Sequence, residues 1–264
     1  MIPHATQRLE EWRAARRHAG RMLVALDFDG TLAPIAQHPA AVELPPAARA
    51  ALERLARRPD TDVAIVSGRA LEDVRRRVDL PDLYYAGNHG IEIEGPGIQE
   101  VHRDAARAMP RIAACAEALR RALADDPGYV LEDKGLTLSV HYRLSRDPHA
   151  RERILSHVCA LCDPTPGLRI TEGKKVVEVR PDVPWDKGRA TRFLLDALQA
   201  GLDTRIPALF IGDDRTDEDA FVALRDCGAG IVVADEPPAE TAATAFLRSP
   251  REVADFLADL AEPA

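Results

Sequence analysis

Two acidic residues at the end of an apolar run are the most chemically informative feature of this sequence. Asp27 directly follows the apolar residues 22–26, and Asp29 lies two positions further on. Such an apolar run predicts a buried parallel strand. Because ligands in open α/β sheets bind beyond the carboxyl ends of strands, we expect both carboxylates at a functional edge. Their mutual repulsion favours a bound cation between them. Gly30 permits a sharp turn, and Thr31 offers a hydroxyl and an amide to an anion.

Three further polar stretches lie where strands end or helices begin. Ser67 follows a β-branched run and can donate its hydroxyl to a phosphate oxygen, although a serine there is also a common helix cap. Lys187 opens a helix and would supply the fixed cation that a site of phosphate and aspartate needs. Residues 213–219 hold five acids in seven positions after another apolar run. This is more acidic residues than the cap of a helix needs. The cluster suits Mg²⁺, which prefers oxygen ligands.

The bulk composition restricts the partners of the protein. The chain has 264 residues and a net charge of −8, which argues against nucleic acid as a partner. No apolar run has the length of a membrane span, and residues 1–20 lack a signal-peptide core. Although Cys159 and Cys162 have C-x-x-C spacing, no second pair follows, so all four cysteines are interpreted as reduced. We therefore expect a cytoplasmic protein that acts on a small molecule. The sequence leaves the oligomeric state open, and a monomer is the default expectation.

The order of predicted elements indicates a core interrupted by an insertion. Strands and helices alternate over residues 21–87 and again over 184–260, which predicts a parallel sheet covered by helices. Between them, a long helix, an alternating hairpin, a second helix and two more strands predict a smaller α+β module. We therefore predict an α/β fold, with a Rossmann-like parallel-sheet core over 1–102 and 183–264. The inserted α+β cap domain is predicted over 103–182.

Taken together and in chain order, these motifs resemble the four motifs of the haloacid-dehalogenase superfamily. The resemblance implies that Asp27 is the nucleophile that becomes an aspartyl phosphate and that Asp29 is the general acid and base. A carboxylate can attack phosphorus when a metal ion screens its charge from the phosphate. The same resemblance implies that Thr31, Ser67 and Lys187 hold the transferring phosphoryl group.

The metal ligands are also carried over from this resemblance. It implies that Mg²⁺ is held by the carboxylate of Asp27, the backbone carbonyl of Asp29 and Asp213. Asp214 and Asp217 would act directly or through water, and the sequence leaves open which of the two binds more closely.

The predicted cap is similar to that of the trehalose-6-phosphate phosphatases. The stretches that carry this resemblance are 131–143 and 172–181 in the cap, and Ser67-Gly68-Arg69, 87–90 and 212–218 in the core. The resemblance covers about residues 21–256 and implies hydrolysis of trehalose 6-phosphate, the last step of trehalose biosynthesis. It implies substrate contacts from Arg69, Asn88, His89, Glu132, Lys134, Arg143, Lys174 and Glu178. Charged side chains suit a disaccharide because they accept from and donate to neighbouring hydroxyls. We expect the cap to close over hinges near 101–103 and 180–184.

Several alternatives remain open at this point. Within the same fold, the substrate could be sucrose phosphate or a mannosyl phosphoglycerate, although the hairpin that carries Glu132, Lys134 and Arg143 disfavours both. A phosphomutase would return the phosphoryl group to a sugar. A non-catalytic sugar-phosphate sensor belongs to another class and would be free to lose Asp27 or Asp29, yet both are present. A receiver-like phospho-acceptor domain has no cap of this size.

Overall fold

The computed structural model describes residues 2–125 and 128–263, which divide into two units. The first unit comprises Met1–Ile35, Val42–Glu100 and Trp185–Ala264, and the second comprises Ala36–Ala41 and Val101–Pro184. The predicted boundaries, 102/103 and 182/183, lie within two residues of these, but the prediction did not include the short segment 36–41 in the second unit. The functional roles of the two units as catalytic core and cap stay predictions. Among the described residues, none of the helices combines the length and apolar character needed to cross a membrane.

The elements are numbered in chain order. The strands are β1 Met22–Leu26, β2 Thr61–Val66, β3 Tyr84–Gly87, β4 Glu92–Gly95, β5 Ile98–Val101, β6 Val130–Asp133, β7 Leu138–His141, β8 Leu168–Gly173, β9 Val176–Pro181, β10 Ala208–Gly212, β11 Gly228–Val233 and β12 Ala245–Leu247. The helices are α1 Leu9–Ala19, α2 Pro46–Ala56, α3 Leu71–Val78, α4 Arg103–Ala122, α5 Ala150–Cys162, α6 Lys187–Gln199, α7 Glu218–Ala223 and α8 Pro250–Ala261.

An eight-stranded sheet forms the first unit. Its strand order is β12-β11-β10-β1-β2-β3-β4-β5, and every pair from β12 to β3 is parallel. β4 then pairs antiparallel with β3. All five residues of β1 are buried, as expected for a central strand covered on both faces. The sheet confirms the predicted α/β class with a parallel core.

Helices on the sheet are held by apolar contacts. Leu23, Ala25 and Phe210 of the central strands share a buried cluster with side chains of α6 and α7. Elsewhere in this unit, α2 packs against α8, and Trp12 of α1 lies edge-on to Phe256 of α8 with ring centroids 5.7 Å apart. The strands are thereby fixed on a rigid base, so their carboxyl ends can hold side chains in defined positions.

The second unit is an antiparallel sheet with two helices. Its strand order is β6-β7-β9-β8, and each neighbouring pair is antiparallel. Leu138, Val140, Val177 and Val179 of the two central strands are buried against α4 and α5. One sheet face is therefore apolar and packed, and the alternate positions project from the other face.

Some boundaries differ from the sequence-based expectations. Local apolar patterns and turn residues predict a strand over 61–66 and helices over 71–78 and 187–199, and the structure confirms all three. The sequence also predicts one short amphipathic helix over 6–19. In the structure this segment divides into a 3₁₀ turn, Ala5–Arg8, and α1. β4, β5 and β12 were not predicted. They are three or four residues long, too short for a two-residue alternation to stand out.

Candidate functional site

Asp27 lies at the topological centre of the large sheet. β1 pairs with β2 on one side and with β10 on the other, with Leu26 opposite both Ile65 and Ile211. The backbone amide of Asp27 donates to the carbonyl of Ile211 at 2.9 Å. Because strand order reverses direction at β1, a crevice is expected beyond its carboxyl end. The residues that follow β1, β2 and β10 therefore meet at one edge.

Lys187, the first residue of α6, bridges two buried acids. Its Nζ lies 3.0 Å from Oδ1 of Asp27 and 2.7 Å from Oδ1 of Asp217. The exposed side-chain fractions are 2% for Lys187, 7% for Asp27 and 0% for Asp217. Burial alone would lower the pKa of Lys187, but the charges of both acids outweigh it and raise that pKa. The site therefore contains a fixed positive charge.

Burial raises the pKa of Asp27 well above its usual value. The positive charge of Lys187 opposes this shift, while Asp217, Asp213 and Asp29 add to it. An acid in these surroundings resists ionisation unless a further cation is close by. The electrostatics of the site therefore favour a bound cation.

Three acids are close enough to share a metal ion. Asp27, Asp213 and Asp217 each place a carboxylate oxygen within 4.8 Å of the others. An all-oxygen donor set fits a hard divalent cation. Thr31 donates its hydroxyl to Oδ1 of Asp213 at 3.3 Å, which orients that ligand. Gly30, with φ of 84°, is required beside it, because a Cβ at this position would lie 2.3 Å from Oδ2 of Asp213.

Asp214 has a different environment from Asp217. Oδ1 of Asp214 accepts from the backbone amide of Arg215 at 2.6 Å and caps the 3₁₀ turn Arg215–Asp217. The amide of Asp214 in turn donates to Oδ2 of Asp217 at 2.8 Å. Of the two acids that the sequence left undecided, Asp217 is the one that lies beside Asp27 and Asp213.

Asp29 directs its carboxylate at Arg69. The Nε and Nη2 atoms of Arg69 donate to Oδ2 and Oδ1 of Asp29, both at 2.7 Å. The remaining Nη1 donates to Asp73 at 2.8 Å. The guanidinium carbon also lies 5.5 Å from the ring centroid of Phe28, within range of a cation–π contact. The predicted acid and base is therefore oriented by a buried arginine.

The loops after β2 and β3 are tied together. The amide of Asn88 donates to the carbonyl of Arg69 at 2.7 Å, and the amide of His89 donates to the carbonyl of Ser67 at 2.9 Å. Asn88 and His89 have φ of 50° and 59°, an uncommon left-handed conformation for residues other than glycine. Nδ2 of Asn88 donates to Glu92 at 3.3 Å. Oγ of Ser67 accepts from the amide of Arg69 at 3.2 Å, so its own hydrogen can serve another acceptor.

The five predicted cap contacts lie in the second unit. Glu132 is on β6 and Glu178 on β9, and Nζ of Lys134 lies 3.4 Å from Oε1 of Glu178. Arg143 and Lys174 are exposed, and Nη2 of Arg143 donates to the carbonyl of Lys174 at 2.9 Å. The unit thus holds an inner group of two acids and a lysine, with two exposed basic residues in turns.

Sequence reasoning did not single out Asp73, Ser139 or His141, each of which contacts a predicted site residue. Asp73 follows Arg69 by four residues, a spacing that favours side-chain contact near a helix start. Ser139 and His141 alternate with the apolar positions of β7 and so lie on its polar face. These patterns were present in the sequence.

Sequence comparisons place the chain among known proteins. Residues 25–251 match the family model described as trehalose-phosphatase. A probable trehalose-phosphate phosphatase D of Arabidopsis thaliana is 39% identical over 271 residues, covering 98% of this chain and 72% of the plant protein. The trehalose-phosphate phosphatase of Mycobacterium tuberculosis H37Rv is 41% identical over 243 residues, covering 90% of this chain and 61% of its own length.

Solved structures show a similar fold. The C-terminal domain of a trehalose-6-phosphate phosphatase from C. albicans superposes with a TM-score of 0.83 at 24% identity, covering 99% of both chains. A trehalose-6-phosphate phosphatase related protein has a TM-score of 0.73 at 28% identity, covering 89% of this chain and 95% of its own. With most of its length matched by the family model and by relatives near 40% identity, this chain belongs to the trehalose-phosphatase family.

Proposed function

We propose that this protein hydrolyses trehalose 6-phosphate to trehalose and inorganic phosphate, the last step of trehalose biosynthesis. The observation that carries the proposal is the buried carboxylate of Asp27 at the end of β1, 3.0 Å from Nζ of Lys187, in a chain of the trehalose-phosphatase family. A lysine held at this point offsets the charge of an incoming phosphate.

In the proposed reaction, Asp27 is the nucleophile and Asp29 moves the proton. An oxygen of Asp27 attacks phosphorus, a new oxygen–phosphorus bond forms, and the bond to the sugar oxygen breaks. Asp29 donates a proton to that leaving oxygen and then takes a proton from water. The water oxygen attacks phosphorus, which releases inorganic phosphate and restores the carboxylate of Asp27.

Thr31, Ser67 and Lys187 are proposed to hold the transferring phosphoryl group. Ser67 is 1% exposed and follows β2, so its hydroxyl is fixed at the same sheet edge as Asp27. Thr31 donates to Asp213, so its proposed contact with phosphate involves its backbone amide or a turn of the hydroxyl. The fixed charge of Lys187 would stabilise the negative charge that develops in the transition state.

Mg²⁺ is the proposed cofactor, held by the carboxylate of Asp27, the backbone carbonyl of Asp29 and Asp213, with Asp217 close by and Asp214 further out. When bound, the ion would screen the nucleophile from the phosphate and favour the ionised form of Asp27. The all-oxygen set of Asp27, Asp213 and Asp217 fits such an ion.

The sugar is proposed to be recognised by charged and amide side chains. For the sugar these are Glu132, Lys134, Arg143, Lys174 and Glu178 of the second unit, with further substrate contacts from Asn88 and His89 of the first. Arg69 is proposed to lie beside the phosphate, where it binds Asp29. Carboxylates accept hydrogen bonds from neighbouring hydroxyls, and the cationic groups donate to the hydroxyl oxygens. We also propose a cytoplasmic monomer, for which light scattering after size-exclusion chromatography tests the oligomeric state.

The test is phosphate release from trehalose 6-phosphate, measured with Mg²⁺ and with EDTA, beside sucrose 6-phosphate and glucose 6-phosphate. We expect Mg²⁺-dependent release from trehalose 6-phosphate and far slower release from the other two. Faster phosphate release from another sugar phosphate would contradict trehalose 6-phosphate as the substrate but would still support the proposed phosphatase mechanism. If phosphate is released from none of the three sugar phosphates, the proposal of phosphatase activity is contradicted and a non-catalytic sugar-phosphate sensor is favoured.

A further inference from the structure

A single row of polar residues crosses the sheet of the second unit. Glu132 pairs with Ser139, Ser139 with Glu178, and Glu178 with Thr171. Directly paired residues on neighbouring strands project from the same face. The four side chains therefore lie side by side on the face opposite the apolar core, in the order Glu, Ser, Glu, Thr.

Ser139 holds one of the two acids in this row. Its Oγ donates to Oε1 of Glu178 at 2.9 Å, and the serine is fully buried. An ionised carboxylate only accepts hydrogen bonds, and a hydroxyl has one hydrogen to give. Because that hydrogen goes to Glu178, Ser139 cannot donate to Glu132 on its other side.

His141 holds the other acid. It lies two residues after Ser139 on β7 and so shares its face, and its Nε2 lies 2.9 Å from Oε2 of Glu132. Because the carboxylate is an acceptor only, Nε2 carries the hydrogen of this bond. One strand, β7, thus supplies a separate donor to each glutamate on the strands beside it.

We propose that Ser139 and His141 are positioning residues for sugar recognition. They hold Glu178 and Glu132 in fixed orientations before the substrate arrives. A free glutamate side chain has several rotatable bonds, and ordering them on binding reduces affinity. The inference rests on the proposed function, because it needs these two glutamates to contact the sugar.

The test compares two substrates that differ in the sugar. For each variant we would measure kcat/KM for trehalose 6-phosphate and for p-nitrophenyl phosphate, which has no sugar hydroxyls, and take the ratio of the first to the second. In Ser139→Ala this ratio should fall about tenfold, mainly through a higher KM for trehalose 6-phosphate. An unchanged ratio would overturn the inference.

Thr171→Val is the matched control. It removes a hydroxyl from the same row, and that hydroxyl has no hydrogen-bond partner among the residues that the structure describes. Its ratio should stay within about twofold of wild type. A loss as large as that of Ser139→Ala would overturn the inference, because the effect would then come from the polarity of the row rather than from the bond to Glu178.

A second pair of variants tests His141 and guards against misfolding of the serine variant. His141→Gln keeps a side-chain N–H donor for Glu132 and should retain most of the ratio, whereas His141→Leu should lower it about tenfold. Equal ratios in the two variants would count against the inference. If the wild-type protein hydrolyses p-nitrophenyl phosphate but not trehalose 6-phosphate, the proposed function fails and the inference fails with it. If the wild type hydrolyses trehalose 6-phosphate but the ratio is unaltered in every variant, the proposed function stands and only the positioning role of Ser139 and His141 is overturned.

Discussion

Arg69 binds Asp29 through two parallel hydrogen bonds, each 2.7 Å long. Both oxygens of the predicted acid and base therefore face one guanidinium, which Asp73 holds from its other side at 2.8 Å. A guanidinium can form such a fork, whereas an ammonium cannot. To donate a proton, Asp29 must release at least one of these bonds. The contact with Arg69 thus sets the orientation of the Asp29 carboxyl group before proton transfer.

Replacing the fork should impair catalysis. We expect Arg69→Lys to lower kcat for trehalose 6-phosphate by about 10- to 100-fold, because Lys keeps the charge but not the two parallel bonds that orient Asp29. Steady-state kinetics at saturating Mg²⁺ measures this. Arg76→Lys is the control, since Arg76 also contacts Asp73 but is 72% exposed. A kcat within twofold of wild type in Arg69→Lys would contradict the orienting role.

Asp27→Asn should abolish turnover and leave the fold intact. An amide is not a nucleophile toward phosphorus, so we expect phosphate release to fall by at least about 1,000-fold. Lys187 retains Asp217 as a partner at 2.7 Å, so its buried charge stays compensated. Asp196→Asn on the exposed side of α6 is the control and should have wild-type activity. If Asp27→Asn turns over substrate as fast as the wild type, Asp27 is not the nucleophile.

Asp73 should contribute stability that depends on pH. Burial acts to raise its pKa, but hydrogen bonds from Arg77 and Arg69 outweigh burial and lower it to about 2. A carboxyl with a lowered pKa stabilises the folded state above its unfolded pKa, and this contribution is lost as pH falls through the folded value. We therefore expect Asp73→Asn to lower the free energy of unfolding by about 2 kcal/mol at pH 7.

The free energy of unfolding of Asp73→Asn should approach that of the wild type as the pH falls from about 4 toward 2. Urea unfolding followed by tryptophan fluorescence measures it, because Trp12 and Trp185 both lie in the first unit. Asp196→Asn is the control: Asp196 also lies in the first unit and pairs with Arg192, but it is 66% exposed, so its effect should be small. A difference that does not change with pH would argue against the ion pairs as its cause.

Asp213 should govern the affinity for the metal ion. We expect Asp213→Asn to raise the Mg²⁺ concentration for half-maximal activity by at least about tenfold, because a neutral amide replaces a charged oxygen ligand. Activity measured over a series of Mg²⁺ concentrations tests this, and EDTA should remove activity from the wild type. Asp203→Asn, at an exposed position, should leave the Mg²⁺ dependence as it is. An unaltered dependence in Asp213→Asn would exclude it as a ligand.

Glu178 should matter more for the sugar than for the phosphate. We expect Glu178→Ala to lose at least about tenfold more activity on trehalose 6-phosphate than on p-nitrophenyl phosphate, because only the first substrate offers hydroxyls to a carboxylate. The control is Glu172→Ala on the neighbouring strand, whose exposed carboxylate pairs with Arg151. Equal losses on the two substrates would contradict a role in sugar binding.

Much of the core could be predicted from the sequence because its signals are local. The apolar run before Asp27 predicted β1, and the helix that begins at Lys187 was predicted to the residue. Hydrophobic periodicity and turn signals depend only on residues that are close together in the chain. They can therefore be interpreted without knowledge of the rest of the fold. The short strand β12 was missed because its place is decided by pairing with β11 rather than by its own three residues.

The sequence by itself determined the residue types of the candidate site and their positions after apolar strands. Only the tertiary structure decided which of them meet: that Lys187 lies between Asp27 and Asp217, and that Arg69 binds Asp29. Such contacts depend on strand order and register, which bring residues distant in the chain to one edge of the sheet. The same reason applies to Ser139 and Glu178, whose pairing is set by the register between β7 and β9.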